Sequence, residues 1–132
     1  MKKIILLLTL LSVSLFAELK NAYLSEQILN SKLPIVDVRT PGEWKETGIL
    51  KGAIPIMFFN EQGKYNVNAF LKELNEKVDT KKPFAIICHT GSRTSMIAPW
   101  LSQELHYKVV NLLGGMDYAT RTLKIKTVPY KQ

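Results

Sequence analysis

The sequence predicts an α/β layer fold, in which a mainly parallel central sheet is covered by helices on both faces. Apolar runs rich in β-branched residues recur without alternating in polarity, which is typical of strands buried on both faces. Segments with helical spacing alternate with these runs. A chain of 132 residues has room for one such domain with one core.

The first elements are a short helix and a buried strand. Ser25 can cap the helix, and Leu24 can pack on Leu29 as a hydrophobic staple. The apolar run 33–38 is predicted as the strand. A turn or a second short helix is expected over 41–46, where a Pro-Gly pair begins the segment.

The middle of the chain predicts an edge strand, a loop and an amphipathic helix. Pro55 interrupts the apolar run 53–58, so that run is expected at an edge of the sheet or as an irregular strand. The polar stretch 60–66 is predicted as a loop. Apolar residues at helical spacing then predict a helix: Val67, Phe70, Leu71, Leu74 and Val78.

The remaining elements follow the single cysteine. Residues 84–87 are predicted as a buried strand that ends directly before Cys88. After a loop, Thr94 or Ser95 is expected to cap a helix that continues to about residue 106. A fourth strand over 107–113 is followed by two glycines, a last helix over 117–123 and a basic tail.

Charge and cysteine content exclude several classes of protein. The formal charge is +7, from 18 basic and 11 acidic residues, but the basic residues are scattered and no patch typical of nucleic-acid binding occurs. We therefore expect no nucleic-acid partner. One cysteine permits neither an internal disulfide nor a cysteine-based zinc site.

The N-terminus has the pattern of a secretory signal. Lys2 and Lys3 precede a short apolar run, and Ala17 precedes a polar segment. We expect residues 1–17 to be removed and residues 18–132 to form a single domain, periplasmic or secreted, without stable membrane insertion after cleavage. The alternative is an uncleaved membrane anchor, for which the apolar run is short.

The segment that carries chemistry runs from Phe84 to Thr94. A buried strand delivers Cys88 to a tight loop with Gly91 and small hydroxyl residues, and a helix follows. Backbone N–H groups of such a loop, with the positive end of the helix, stabilise a thiolate, which is the nucleophilic form of cysteine. Arg93 adds a positive charge for an oxyanion. The alternative is a cysteine that is merely a small buried apolar residue.

Three motifs give the chain a resemblance to single-domain rhodanese-like sulfurtransferases. The first is the loop Cys-His-Thr-Gly-Ser-Arg-Thr over 88–94, and the second is the upstream stretch 35–56 with its Asp-Val-Arg, Glu and Gly-Ala signature. The third is the strand and Gly-Gly turn over 110–116. The resemblance implies the family's three-layer fold and its sulfur-transfer activity.

The chain departs from the family pattern at three positions. Ile49 stands where many relatives have histidine, and His89 stands where an arginine or another residue is frequent. The usual tryptophan after the Gly-Gly turn is replaced in the region of Tyr118 or Ala119. The role of His89 therefore stays open, and we expect it to form loop wall or to tune the local charge.

The resemblance implies a two-step displacement with no metal and no organic cofactor. Cys88 would take the outer sulfur of a small anionic donor such as thiosulfate or polysulfide, and the persulfide would pass it to a thiol or cyanide acceptor. The substrate-binding residues would be those of the loop, with Arg93 on the anionic donor: His89, Thr90, Gly91, Ser92, Arg93 and Thr94. A redox or sulfur-handling protein is an expected partner.

Two other functions stay open. Four residues separate Cys88 from Arg93, whereas related cysteine phosphatases have five, so a phosphatase or arsenate reductase is the minor enzymatic alternative. A sulfur carrier that partner proteins load and unload, without turnover, would use the same loop.

Three charged residues of the upstream motif are expected to be structural or to line the pocket rim. Asp37, at a strand end, can accept hydrogen bonds from loop N–H groups. Arg39 is expected to pair with Glu43.

Overall fold

The computed structural model describes residues 19–131 and confirms the α/β fold with an all-parallel sheet. The strands are β1 (Leu19–Tyr23), β2 (Ile35–Asp37), β3 (Ile54–Pro55), β4 (Phe84–Ile87) and β5 (Val109–Leu113). The helices are α1 (Glu26–Asn30), α2 (Pro41–Thr47), α3 (Val67–Lys77), α4 (Ser92–Leu105) and α5 (Gly115–Asp117), which continues as a π-helical turn over Tyr118–Thr122.

The sheet has the strand order β1-β5-β4-β2-β3, so β4 lies at its centre. Ile86 on β4 is in register with Val36 on one side and Asn111 on the other. Since parallel strands end at the same edge, Cys88 is delivered to the middle of the carboxyl edge, where ligands of such folds bind. The run containing Pro55 lies at the edge of the sheet, as predicted.

The side chains of β4 alternate between two apolar layers, which places helices on both faces of the sheet. Phe84, Ile86 and Cys88 belong to one buried cluster, which also contains residues of α3 and α4. Ala85 and Ile87 belong to the other, against which α1 and the segment after β5 pack. This separation confirms the predicted layers.

The helix signals in the first half of the domain are confirmed. The Ser25 hydroxyl caps α1 by accepting the N–H of Ile28 at 3.2 Å, and Leu24 and Leu29 lie in the same apolar cluster. Residues 41–46, for which the sequence predicts a turn or a short helix, lie in a helix that Thr40 caps.

Strand β1 is an element that the apolar pattern did not predict. It contains Lys20 and Asn21, none of its residues is fully buried, and it pairs with β5 alone. A hydrogen bond of 3.0 Å from Asn111 Nδ2 to Asn21 Oδ1 joins the two strands. Tertiary pairing therefore makes this segment a strand, since its own sequence carries no strand pattern.

The prediction that Thr94 or Ser95 caps α4 is wrong, because the helix begins at Ser92 after Gly91. Gly91 has a left-handed backbone (φ 99°) and offers no side-chain cap. The Thr94 hydroxyl donates to the Gly91 carbonyl at 3.3 Å, and the Ser95 hydroxyl donates to the Ser92 carbonyl at 2.7 Å. The start of the helix is thus part of the loop over 88–94, which is the active loop of this chain.

The expected signal over 1–17 lies outside the described residues. Among residues 19–131, no helix combines the length and the apolar character that a membrane span needs.

A buried ion pair ties β2 to α2. Arg39 and Asp37 are 2% and 0% exposed, and the Arg39 Nη2 lies 2.8 Å from Asp37 Oδ2. The Arg39 Nε also contacts this carboxylate, at 3.0 Å and 3.1 Å. The remaining donors of the guanidinium reach the end of α2, at Thr47 Oγ1 and the Gly48 carbonyl, both at 2.8 Å.

The substitution Asp37→Asn should lower the free energy of unfolding by about 3–5 kcal/mol, because it leaves the Arg39 cation buried without its counter-charge. The matched control is Glu73→Gln in the exposed Glu73–Lys77 pair of α3, which should cost less than about 1 kcal/mol. Urea unfolding at neutral pH measures both losses. Equal losses in the two variants would contradict the structural role of the buried pair.

Candidate active site

Cys88 is held at the base of a tight loop. Cys88 is fully buried, and its Sγ accepts a hydrogen bond from the N–H of Gly91 at 3.2 Å. The Sγ also lies 3.7 Å from Thr94 Oγ1, and a thiol at this position can donate a weak hydrogen bond to that oxygen. The left-handed Gly91 turns the chain so that its N–H points back at the sulfur. The predicted stabilisation of a thiolate by a loop N–H therefore has one donor in place.

The outer side of the loop is fixed by α5. The N–H of Met116 donates to the Cys88 carbonyl at 2.8 Å, and the N–H of Asp117 donates to the His89 carbonyl at 2.9 Å. A Cβ on Gly115 would meet those two oxygens at 2.4 Å and 2.6 Å, so only glycine permits this approach. Both carbonyls are thereby occupied on the side of the loop that faces α5.

Arg93 joins the loop to α2 through a bidentate ion pair with Glu43. The two terminal nitrogens of Arg93 donate to the two carboxylate oxygens of Glu43 at 2.7 Å and 2.8 Å. Glu43 also closes the capping box of α2, by accepting the N–H of Thr40 at 3.3 Å. The expectation that Arg39 pairs with Glu43 is wrong: Arg39 pairs with Asp37, and Glu43 pairs with Arg93.

The pairing shifts the titration of both partners. Burial alone would raise the pKa of Glu43, but the hydrogen bond and charge of Arg93, with the Thr40 N–H, outweigh it and lower the pKa to about 2. The hydrogen bond to Glu43 raises the pKa of Arg93 above its ordinary value, and the negative charge of Cys88 adds to this. Both residues of the pair are therefore charged at neutral pH.

Comparisons with known proteins show which family has this cysteine loop at the carboxyl edge of its sheet. The family model described as "Rhodanese-like domain" matches residues 19–121. The chain belongs to this family. The match includes every strand of the sheet and the whole active loop.

Relatives of this rhodanese-like domain support the same fold. The uncharacterized protein RP600 of Rickettsia prowazekii is 33% identical over 93 residues, which are 68% of this chain and 74% of the relative. The crystal structure of a rhodanese-like domain protein from Staphylococcus aureus is 26% identical with a TM-score of 0.57, covering 74% of this chain and 88% of that one. Rv0390 from M. tuberculosis, at 22% identity, shares the fold, with a TM-score of 0.60 over 74% of this chain and 80% of its own.

The structure brings most of the predicted site residues to one edge of this rhodanese-like domain. Thr94 is buried behind the sulfur, whereas His89, Thr90 and Ser92 are exposed on the loop. His89 also lines a cavity of about 190 Å³ together with Arg39. Asp37 and Arg39 form the buried pair below this site, which agrees with their structural interpretation.

The sequence reasoning missed the contribution of α5. Gly115 and the N–H groups of Met116 and Asp117 shape the loop, although the pattern had assigned the two glycines only to a turn. Two adjacent glycines after a buried strand were the available signal, because adjacent glycines permit close backbone approach.

A cleft of about 730 Å³ lies beside the loop. Glu43, Glu46, Glu61 and Met96 line it, and Arg93 is its basic lining residue. Within residues 19–131, no group of three or more His, Cys, Asp or Glu side chains is arranged to hold a metal ion.

The substitution Gly115→Ala should cost clearly more stability than Gly63→Ala. Both glycines have positive φ (58° and 76°), so each alanine incurs a backbone strain of about 1–2 kcal/mol. Gly63 has no atom within 4 Å of the added Cβ, whereas Gly115 would press on two carbonyl oxygens. Urea unfolding measures the difference, and equal losses would show that the loop does not depend on this close approach.

Proposed function

We propose that the protein is a sulfurtransferase that moves sulfane sulfur from thiosulfate or polysulfide to a thiol or cyanide through a persulfide on Cys88. The observation that carries the proposal is the Gly91 N–H at 3.2 Å from Cys88 Sγ, at the carboxyl end of the central strand. Membership of the rhodanese-like family supports sulfur transfer as the type of chemistry.

The proposed reaction has two displacements. The Cys88 thiolate attacks the outer sulfur of the donor, so that a bond between Sγ and this sulfur forms while its bond to the rest of the donor breaks. With thiosulfate, sulfite leaves with the bonding electron pair. The acceptor then attacks the terminal sulfur of the persulfide, and the electron pair of the broken S–S bond returns to Cys88 as thiolate.

The ion pair with Glu43 limits how Arg93 can take part in the proposed reaction. Its two terminal nitrogens are occupied by Glu43, so direct donor binding by them requires the donor to displace that carboxylate. In the paired state, Arg93 acts on the reaction as a positioning residue, since it holds the start of α4 against α2 and places a positive charge near Cys88.

A carrier function is the second candidate, because the same loop would hold a persulfide on Cys88 in a carrier and in an enzyme. A carrier would hold a stable persulfide and release it only to a partner protein, whereas an enzyme would turn over with cyanide. Phosphatase chemistry has less support, because its arginine would have to bind phosphate while Arg93 is held by Glu43.

A periplasmic or secreted location remains part of the proposal and rests on residues 1–17 of the sequence.

Purified protein should convert thiosulfate or polysulfide and cyanide to thiocyanate, with the parallel double-reciprocal lines of a ping-pong reaction. The variant Cys88→Ser should lose this turnover by at least about a thousandfold, because it lacks the sulfur nucleophile. Hydrolysis of an aryl phosphate is measured in parallel. With the enzyme-free rate subtracted, thiocyanate formation that survives in Cys88→Ser, or aryl phosphate hydrolysis that depends on Cys88, would contradict the proposal.

A further inference from the structure

An apolar groove of about 400 Å³ lies on the face of the sheet covered by α3 and α4. Phe58 forms its centre, with ring centroids 5.4 Å from Tyr65 and 5.8 Å from Trp100. Tyr65 and Met96 are 60% and 61% exposed, and both line this groove, so their exposed apolar surfaces form one patch. The exposed aromatic and methionine surface is of the kind enriched at protein interfaces.

The groove is continuous with the cleft at the active loop. Phe59 and Met96 line both, and Met96 lies one helical turn after Arg93 on α4. A segment that lies in the groove would therefore extend to Arg93, which belongs to the loop that begins at Cys88.

The cleft end of this surface is acidic, although the whole chain carries a formal charge of +7. Glu43, Glu46 and Glu61 line the cleft, and the charge of Arg93 is balanced by Glu43. Within residues 19–131, no ion pair neutralises Glu46 or Glu61. This local field favours a basic residue of a docked segment over an acidic one.

We propose that the groove and the cleft together form the docking site for a partner protein whose cysteine is the sulfur acceptor. The partner presents an apolar side chain to the groove and lysine or arginine to Glu46 and Glu61. The inference rests on the proposed function and names its acceptor: a protein thiol flanked by apolar and basic residues.

The transfer step is balanced without an added oxidant or reductant. The partner's thiolate attacks the terminal sulfur of the Cys88 persulfide and forms a new S–S bond. The bond between that sulfur and Cys88 Sγ breaks, and its electron pair returns to Cys88 as thiolate. One persulfide and one thiolate are consumed, and one of each is formed.

The test compares three synthetic acceptor peptides: Lys-Leu-Cys-Leu-Lys, Glu-Leu-Cys-Leu-Glu and Lys-Ser-Cys-Ser-Lys. Each transfer rate is divided by the rate of the same peptide with a small disulfide reagent, which removes differences in intrinsic thiol reactivity. The first peptide should have a kcat/KM about tenfold above either of the others at low salt, and its advantage over the glutamate peptide should shrink as salt is added.

Two variants alter the surface, each with a matched control elsewhere. Met96→Ser with Tyr65→Ser removes groove contacts, and its control Tyr23→Ser changes an exposed large apolar side chain on β1, outside the groove. Glu46→Gln with Glu61→Gln removes cleft charge, and Glu26→Gln is its control on α1. The groove variant should lose about tenfold in kcat/KM for the leucine–lysine peptide, and the cleft variant should lose the preference for lysine over glutamate. Cyanide turnover should stay within about twofold in the groove variant and in the two controls, because cyanide does not occupy the groove.

A binding measurement keeps the docking inference separate from the proposed function. Fluorescence anisotropy of a labelled leucine–lysine peptide on Cys88→Ser protein should show binding that the groove variant weakens and Tyr23→Ser does not. Equal rates and equal binding for the three peptides would overturn the docking site while thiocyanate formation continues. Loss of thiocyanate formation with intact peptide binding would overturn the proposed function alone. If light scattering shows a dimer that Met96→Ser with Tyr65→Ser dissociates, the occupant is a second copy and the docking proposal is wrong.

Discussion

The active loop depends on the close approach of two backbone segments at the carboxyl edge of the sheet. The carbonyl groups of Cys88 and His89 accept N–H groups from Met116 and Asp117, at 2.8 Å and 2.9 Å. Only the missing side chain of Gly115 leaves room for this contact. In the same loop, the Gly91 N–H donates to Cys88 Sγ at 3.2 Å, so the buried sulfur accepts a backbone hydrogen bond.

Two ion pairs attach α2 to this edge, and they differ in their surroundings. Asp37 and Arg39 are almost fully buried, so their separation from water offsets most of their attraction, and the pair matters chiefly when one partner is removed. Glu43 and Arg93 are partly exposed and join α2 to the start of α4. Because Glu43 balances the charge of Arg93, the remaining charge of the cleft lining comes from the carboxylates of Glu46 and Glu61.

The sequence alone predicted what depends on local pattern. The buried strand before Cys88 and the amphipathic helix α3 could be identified from apolar periodicity, and the site loop from its residues. Strand β1 could not, because its pairing with β5 rather than its composition makes it a strand. The partner of Glu43 was also missed, since Arg93 lies 50 residues away in the chain and only the fold brings the two together. Contacts between distant segments leave no local pattern to interpret.

The most direct measurement is the intact mass of the reduced, folded protein before and after treatment with polysulfide or thiosulfate, with Cys88→Ser beside it. A persulfide at Cys88 predicts a gain of about 32 Da per sulfur atom, removable by cyanide and absent in the variant. An unchanged mass with every donor, or a gain that persists in Cys88→Ser, would contradict sulfur transfer through this residue.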